Sequence, residues 1–291
     1  VAQVSFIGAP IDSVGRGGGA ELAPAALREL GILEALGAED AGDLEVGVRD
    51  EKRDPESGLI GAAEVLAATA TIRAEVGARV RDGESPFLAG GCCSVLPGAL
   101  AGTRDALGRV ALFHLDGHLD LYDGETSPTG EAADMPISVA LGLGPAAWVT
   151  AAGGASVAPE RTALVGFRDK AESLEYGMRQ PESIEPAPVQ RSAEDLRRAG
   201  PGPAAAAVAA TLAAQAPLWL HLDVDVLDQE VFPATDYPMP GGLDWEQAGA
   251  VLAAVRASTR LVGVSLGCYN PAKDADRACG RALLDTLREV R

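Results

Sequence analysis

The sequence predicts an α/β protein: a three-layer αβα arrangement around a mostly parallel central sheet. Two observations carry this. Short apolar runs of strand length alternate with longer segments at helical spacing along the whole chain. Runs such as Val110-Ala111-Leu112-Phe113 are apolar at every position, as in strands covered on both faces. At 291 residues the chain has the length of one α/β domain, and no linker or internal repeat divides residues 1–291.

The elements follow in order. Val4–Gly8 reads as the first strand, and Ala9–Ala20 as a glycine-rich loop around Arg16-Gly17-Gly18-Gly19. Glu21-Leu22-Ala23-Pro24 opens a helix through about Leu36, with Pro24 in the first turn, where its missing N–H does no harm. A turn and a short strand fall within Asp40–Val46, and a long helix spans about Gly58 to Val80. Pro86–Ala89 is a strand ending in Gly90-Gly91-Cys92-Cys93-Ser94, after which Ser94 is expected to cap a helix to Leu107. Leu121–Asp134 is a polar loop rich in acid, and Met135–Leu143 a helix. Thr162–Phe167 is a strand; Gly177–Gly202 is proline-rich and irregular, with one short helix around Ser192–Arg198. Pro203–Ala214 is an alanine-rich helix, and Pro233–Leu243 a loop. Asp244 caps a helix to about Ala257, Leu261–Leu266 is the last long strand, and a final helix covers about Asp276 to Val290.

Composition excludes some partners. The net charge of −18 argues against nucleic acid and anionic membranes. No apolar run is long and clean enough to span a bilayer. The N-terminus reads as strand, with no signal peptide visible. The four cysteines include the adjacent pair Cys92-Cys93, a poor start for a disulfide framework. Reduced thiols and a cytoplasmic protein acting on a small molecule are expected.

Two stretches carry the chemistry. In His114-Leu115-Asp116-Gly117-His118-Leu119-Asp120, two carboxylates and an imidazole recur at every second position after an apolar strand. In an extended chain such residues share one side. His221-Leu222-Asp223-Val224-Asp225-Val226-Leu227-Asp228 has the same form after Leu218-Trp219-Leu220. Bare carboxylates at a core strand's end are costly unless cations meet them. Two such stretches suit a pair of divalent metals with shared carboxylate bridges.

On these residues the chain resembles the ureohydrolase superfamily, which includes arginase, agmatinase and formimidoylglutamase. Asp116-Gly117-His118-Leu119-Asp120 is similar to its Asp-Ala-His-x-Asp signature, and Asp223-Val224-Asp225-Val226-Leu227-Asp228 to Asp-Val-Asp-x-Leu-Asp. Ile7-Gly8-Ala9-Pro10, Asp43-Leu44, Gly90-Gly91, Pro233-Ala234-Thr235, Gly241-Gly242-Leu243 and Asn270-Pro271 fall in the family's order. The resemblance implies the arginase-like fold, a homo-oligomer and two metals, commonly manganese. It implies that Asp116 and Asp223 bridge, that His118 and Asp225 hold one ion, and that Asp120 holds the other. Cys93 stands in the slot of the family's remaining ligand histidine. A thiolate there would admit zinc, iron or cobalt as well, or weaken that ion or leave a single one; the alternative is that Cys93 is a buried thiol that binds no metal.

Other positions depart. Cys268 replaces the glutamate that pairs with the substrate guanidinium. Ala133 replaces a loop histidine given a proton-shuttle role, and Asp134 follows it as the candidate substitute. Ala171 replaces the second acid of the arginase amino-acid clamp after Arg168-Asp169. Asp228 is expected close behind the metals as an acceptor or proton carrier, and His114 and His221 as partners of the ligands or as core histidines.

The resulting expectation is a hydrolase of non-peptide C–N bonds in guanidino, formimino or related compounds, not an authentic arginase. Two alternatives stay open: a mononuclear deacylase-like amidohydrolase and a non-catalytic metal-binding homologue. Arg16, Arg168 and Lys170 could serve an acidic substrate, whereas the acidic loop favours a cationic one.

Overall fold

The computed structural model describes residues 2–290, apart from the side chain of Val290. Val1 and Arg291, the ends of the expected domain, lie outside the described residues. Eight strands form one sheet: β1 (Val4–Ala9), β2 (Ala38–Asp43), β3 (Ser85–Gly90), β4 (Ala111–Leu115), β5 (Thr162–Val165), β6 (Val189–Arg191), β7 (Leu218–Asp223) and β8 (Leu261–Gly267). Their spatial order is β2-β1-β3-β8-β7-β4-β5-β6, and every neighbouring pair is parallel.

Alternate strand residues feed two cores, as the period of two requires. Phe6, Phe87, Phe113 and Leu220 meet α1 (Ala23–Glu29), α2 (Ile32–Leu36), α9 (Pro201–Ala213), α10 (Trp245–Ser258) and α11 (Ala278–Leu287) on one face. Ile7, Leu88, Leu112 and Leu164 meet α3 (Ala62–Arg81), α4 (Leu96–Leu107), α5 (Pro136–Ala140) and α6 (Ala146–Ala151) on the other. The expected αβα layering is therefore observed. Two short helices, α7 (Lys170–Glu175) and α8 (Ala193–Ala199), complete the set.

Several boundaries differ for local reasons. The expected helix to Leu36 breaks into α1 and α2 because Gly31 adopts φ 93°, which suits glycine and no α-helix. Gly61, at φ 57°, delays α3 to Ala62. Ser94 does not cap α4: Cys93–Val95 form a 3₁₀ turn, Val95 occupies the cap position, and Pro97 sits in the first turn of the helix. The segment expected to be one helix over Met135–Leu143 narrows to α5 after a 3₁₀ turn at Ala132–Asp134. In the stretch read as irregular, Val189–Arg191 adds an edge strand whose two partly buried residues and one exposed residue leave no apolar run to recognise. The caps read from sequence at Ser192 and Asp244 both form reciprocal capping boxes, with Asp195 and Gln247.

The topology matters for the site. β3, β8, β7 and β4 lie side by side at the centre of the sheet, although they are far apart in sequence. Their C-terminal ends open on one crevice, the usual ligand position in parallel sheets.

Candidate metal centre and its cavity

Each of these four strands delivers side chains to the crevice. Cys93 follows β3, Cys268 follows β8, Asp223 and Asp225 come from the end of β7, and Asp116, His118 and Asp120 follow β4. The convergence does not arise from an extended chain, as the spacing suggests. Both motifs turn where the strands end, and the carboxylates fold back onto their own backbone. His118 N–H donates to Asp116 Oδ1 (2.7 Å), and Asp225 N–H donates to Asp223 Oδ1 (2.8 Å). Gly117 N–H donates to Asp225 Oδ1 (3.1 Å), tying one loop to the other. In Asp116, Asp223 and Asp225 one oxygen is held by backbone and the second faces the cluster.

The facing atoms form four groups of metal-ligand type among the described residues, three of which share Asp116: besides the two that follow, Cys93 joins Asp223 and Cys268 in one and Asp116 and His221 in another. Asp116, His118 and Asp225 are one, with His118 Nδ1 3.0 Å from Asp225 Oδ2. His114, Asp116 and Asp120 are the other. Cys93 Sγ donates to Asp223 Oδ2 (2.6 Å) and lies 3.7 Å from Cys268 Sγ. Asp120 and Cys268 carry the positive φ angles 53° and 67°, strained for residues other than glycine. The structure thus brings together all six expected ligand positions, Cys93, Asp116, His118, Asp120, Asp223 and Asp225, and Cys268 with them.

The cluster needs positive charge. Burial pushes the Asp120 carboxyl up to about 8, and the Asp116 charge adds to this. His114 is wholly buried, which favours its neutral form, yet the adjacent Asp116 holds its proton up to about 10. Asp120 Oδ2 and both ring nitrogens of His114 are buried without a hydrogen-bond partner among the described residues. Carboxylates packed this closely, with buried unpaired acceptors, fit divalent cations.

The two strand histidines divide in character. They face each other across the β4–β7 ladder, with ring centroids 5.2 Å apart. His221 is fully engaged: Trp219 Nε1–H donates to Ser265 Oγ (3.0 Å), Ser265 Oγ meets His221 Nδ1 (2.7 Å), and His221 Nε2 meets Cys93 Sγ (3.1 Å). Burial pulls its pKa down to about 3, so it is a neutral core histidine. His114 has no such network.

The cluster forms the floor of a 330 Å³ cavity whose lining includes Tyr122, Asp134, Asp169, Glu172, Tyr176 and Tyr237. Asp134 accepts from Ser127 Oγ (2.7 Å) and Thr129 Oγ1 (2.6 Å), with its pKa raised by burial. Burial also raises Asp169, to about 6. Ala171 leaves no acid at its own position, but Glu172, one residue on, lines the cavity. Sequence reading missed this because it followed the family's spacing rather than the pitch of α7.

Asp228 is a correction. It does not line the cavity with the cluster; its oxygens accept from the backbone N–H groups of Glu230, Gly241 and Gly242, fastening the loop after β7. The cations considered for an acidic substrate are spoken for in two cases. Arg168 is bonded to the carbonyls of Asp225, Leu227, Met239 and Pro240, and Lys170 pairs with Glu182. Arg16 lines a neighbouring cavity with Glu131 and Tyr237. No helix among the described residues is long and apolar enough to cross a membrane.

Sheet order and cluster together define an αβα protein with a candidate divalent-cation centre at the C-terminal edge of its central strands. More narrowly, the chain belongs to the arginase family, whose model matches residues 2–290. It is 26% identical over 293 residues to an arginase of Bacillus subtilis (strain 168), covering 99% of this chain and 97% of that protein. It is 35% identical over 174 residues to an N(omega)-hydroxy-L-arginine amidinohydrolase of Streptomyces lavendulae, covering 58% of this chain and 55% of that protein. The native structure of Bacillus caldovelox arginase superposes with a TM-score of 0.88 at 25% identity, covering 100% of this chain and 98% of that one.

Proposed function

We propose that this chain is a metal-dependent hydrolase of a non-peptide C–N bond in a cationic guanidino, formimino or related amidine compound, and not an authentic arginase. The observation that carries the reading is the cavity: Asp134, Asp169 and Glu172 stand over a floor of metal-type donors, and no lysine or arginine lines it among the described residues. Away from the ions the cavity floor would hold, an acidic substrate would meet like charge from Asp134, Asp169 and Glu172.

Cys93, Asp116, His118, Asp120, Asp223 and Asp225 are the side chains that would hold two ions, with manganese favoured by the oxygen-rich set and zinc, iron or cobalt admitted by the thiol. Such ions would supply Lewis-acid charge and a water that loses its proton near neutral pH. The residues do the rest. Asp169 and Glu172 pair with the positive end of the substrate and orient it. Asp134, whose pKa burial raises, passes a proton to the departing nitrogen. Cys268, in place of a carboxylate, takes no charged pair with a guanidinium, which separates this substrate from that of an arginase. The amidinohydrolase named above lends support, because its name describes the same bond class.

The test is a screen of guanidino, N-hydroxyguanidino and formimino compounds for release of urea, hydroxyurea, formamide or ammonia, with manganese, zinc, cobalt or iron(II) supplied in turn. Turnover of a cationic member, abolished by Asp116→Ala, is expected. Tight metal binding without turnover of any of them would favour the non-catalytic alternative and overturn this reading.

A further inference from the structure

We infer that His114 is itself a metal ligand and supplies, from one residue pair below the Asp-x-His-x-Asp motif, the imidazole that Cys93 cannot. The inference rests on the reading that the cluster holds cations, and it assigns a residue to which the family's pattern gives no such role.

His114 lies on β4 two residues before Asp116, on the same side of the strand, with its side chain wholly buried. Its Nε2 is 3.2 Å from Asp116 Oδ2 and 3.6 Å from Asp120 Oδ2. Neither approach has hydrogen-bond geometry: both ring nitrogens and Asp120 Oδ2 are without a hydrogen-bond partner among the described residues. Three polar atoms therefore surround one point without bonding to one another. Donors ~2.1 Å from a common cation stand ~3.0 Å apart at right angles and ~3.4 Å apart in a tetrahedron. The two approaches of His114 Nε2, 3.2 and 3.6 Å, lie close to such edges, and all three donors fall within 4.8 Å of one another.

Its neighbour provides the control within the molecule. His221 occupies the equivalent position on β7 and stacks on His114, yet both its nitrogens are bonded, to Ser265 and Cys93. The same network occupies Cys93, which is held by His221 and Asp223 and lies 3.8 Å from Asp116 Oδ2. Asp116 is common to the group with His114 and Asp120 and to the group with His118 and Asp225. A third group, Cys93, Asp116 and His221, shares the same carboxylate, but there the ring and the thiol are already bonded to each other; the two groups left, each with one free-standing imidazole about Asp116, have the donor arrangement of a bridged pair. The set around His114 has one nitrogen and two carboxylates and suits manganese, iron(II), cobalt or zinc.

The chain contains three histidines, so ring-nitrogen NMR is tractable. The full chain labelled with ¹⁵N-histidine, stripped of metal and loaded with ¹¹³Cd(II), is expected to show ¹⁵N–¹¹³Cd splitting at two histidines. His221→Gln should leave both split resonances, and His118→Gln should remove one. In parallel, manganese bound per chain should fall from two to one in His114→Phe. Splitting confined to His118, loss of the second split resonance in His221→Gln, or two manganese retained by His114→Phe would each overturn the assignment. Cadmium and manganese both failing to bind the wild-type chain would instead remove the cation-centre reading, and this assignment with it.

Discussion

Gly117 donates its backbone N–H to Asp225 Oδ1 at 3.1 Å, so the turn after β4 is tied directly to the turn after β7. Asp225→Asn preserves an oxygen for that bond and removes the charge that faces His118. The variant is expected to keep its metal-free melting temperature within a few degrees, to lose about one metal per chain, and to lose at least ~100-fold in activity, since a ligand matters more than the 10–100-fold typical of outer partners. Elemental analysis beside thermal melts in chelator checks this; an unchanged metal count would count against Asp225 as a ligand.

Asp134 is held by Ser127 and Thr129 at the cavity wall, one step from the cluster. Asp134→Asn should leave metal content intact and lower kcat by roughly 10²-fold or more, within the usual range for a lost acid–base group. Its pH–rate profile should lose one limb. A variant that raises KM alone would mark Asp134 as a binding group instead.

Glu131 accepts from the Tyr237 hydroxyl (2.8 Å), and burial, with Asp134 nearby, pushes its pKa up to about 7 from 4.5. The raised value means that the fold favours the protonated acid. Its contribution to stability is therefore fully present below about pH 4.5 and is lost as pH rises through about 7. Glu131→Gln removes the titration. Urea unfolding in chelator at pH 5 and pH 8 should show wild type losing more stability between the two pH values than the variant; equal losses would contradict the assignment.

Asp228 fastens three backbone N–H groups across the loop ending at Gly242. Asp228→Ala is expected to cost about 1–3 kcal/mol in stability, the penalty for charge-assisted bonds left unmade. Its kcat should change far less than that of Asp134→Asn. A loss of kcat as deep as that of Asp134→Asn, at unchanged stability, would return Asp228 to the reacting centre.

Much of the site was legible because charged residues rarely follow fully apolar strands without a purpose. The spacing of Asp116, His118 and Asp120, and of Asp223 and Asp225, marked residues that do converge, although by turns closed by the His118 and Asp225 N–H groups and not by an extended strand. Asp228 belonged to the same motif and was assigned by association. Its carboxylate instead meets backbone from a loop thirteen and fourteen residues on, a pairing that spacing does not encode. Glu172 escaped notice for the opposite reason, since it reaches the cavity from a helix that had not been recognised.

The amino-acid order alone determined the alternation of strand and helix, the caps at Ser192 and Asp244, and the residue types of a candidate cation centre, because all of these rest on short-range periodicity and local hydrogen bonding. Tertiary structure decided the rest. Only the strand order β3-β8-β7-β4 sets Cys93 and Cys268 3.7 Å apart and leaves His221 hydrogen-bonded while His114, beside Asp116 and Asp120, has no hydrogen-bond partner among the described residues. Those relationships depend on which strands become neighbours, and that is a property of the closed sheet that no local window contains.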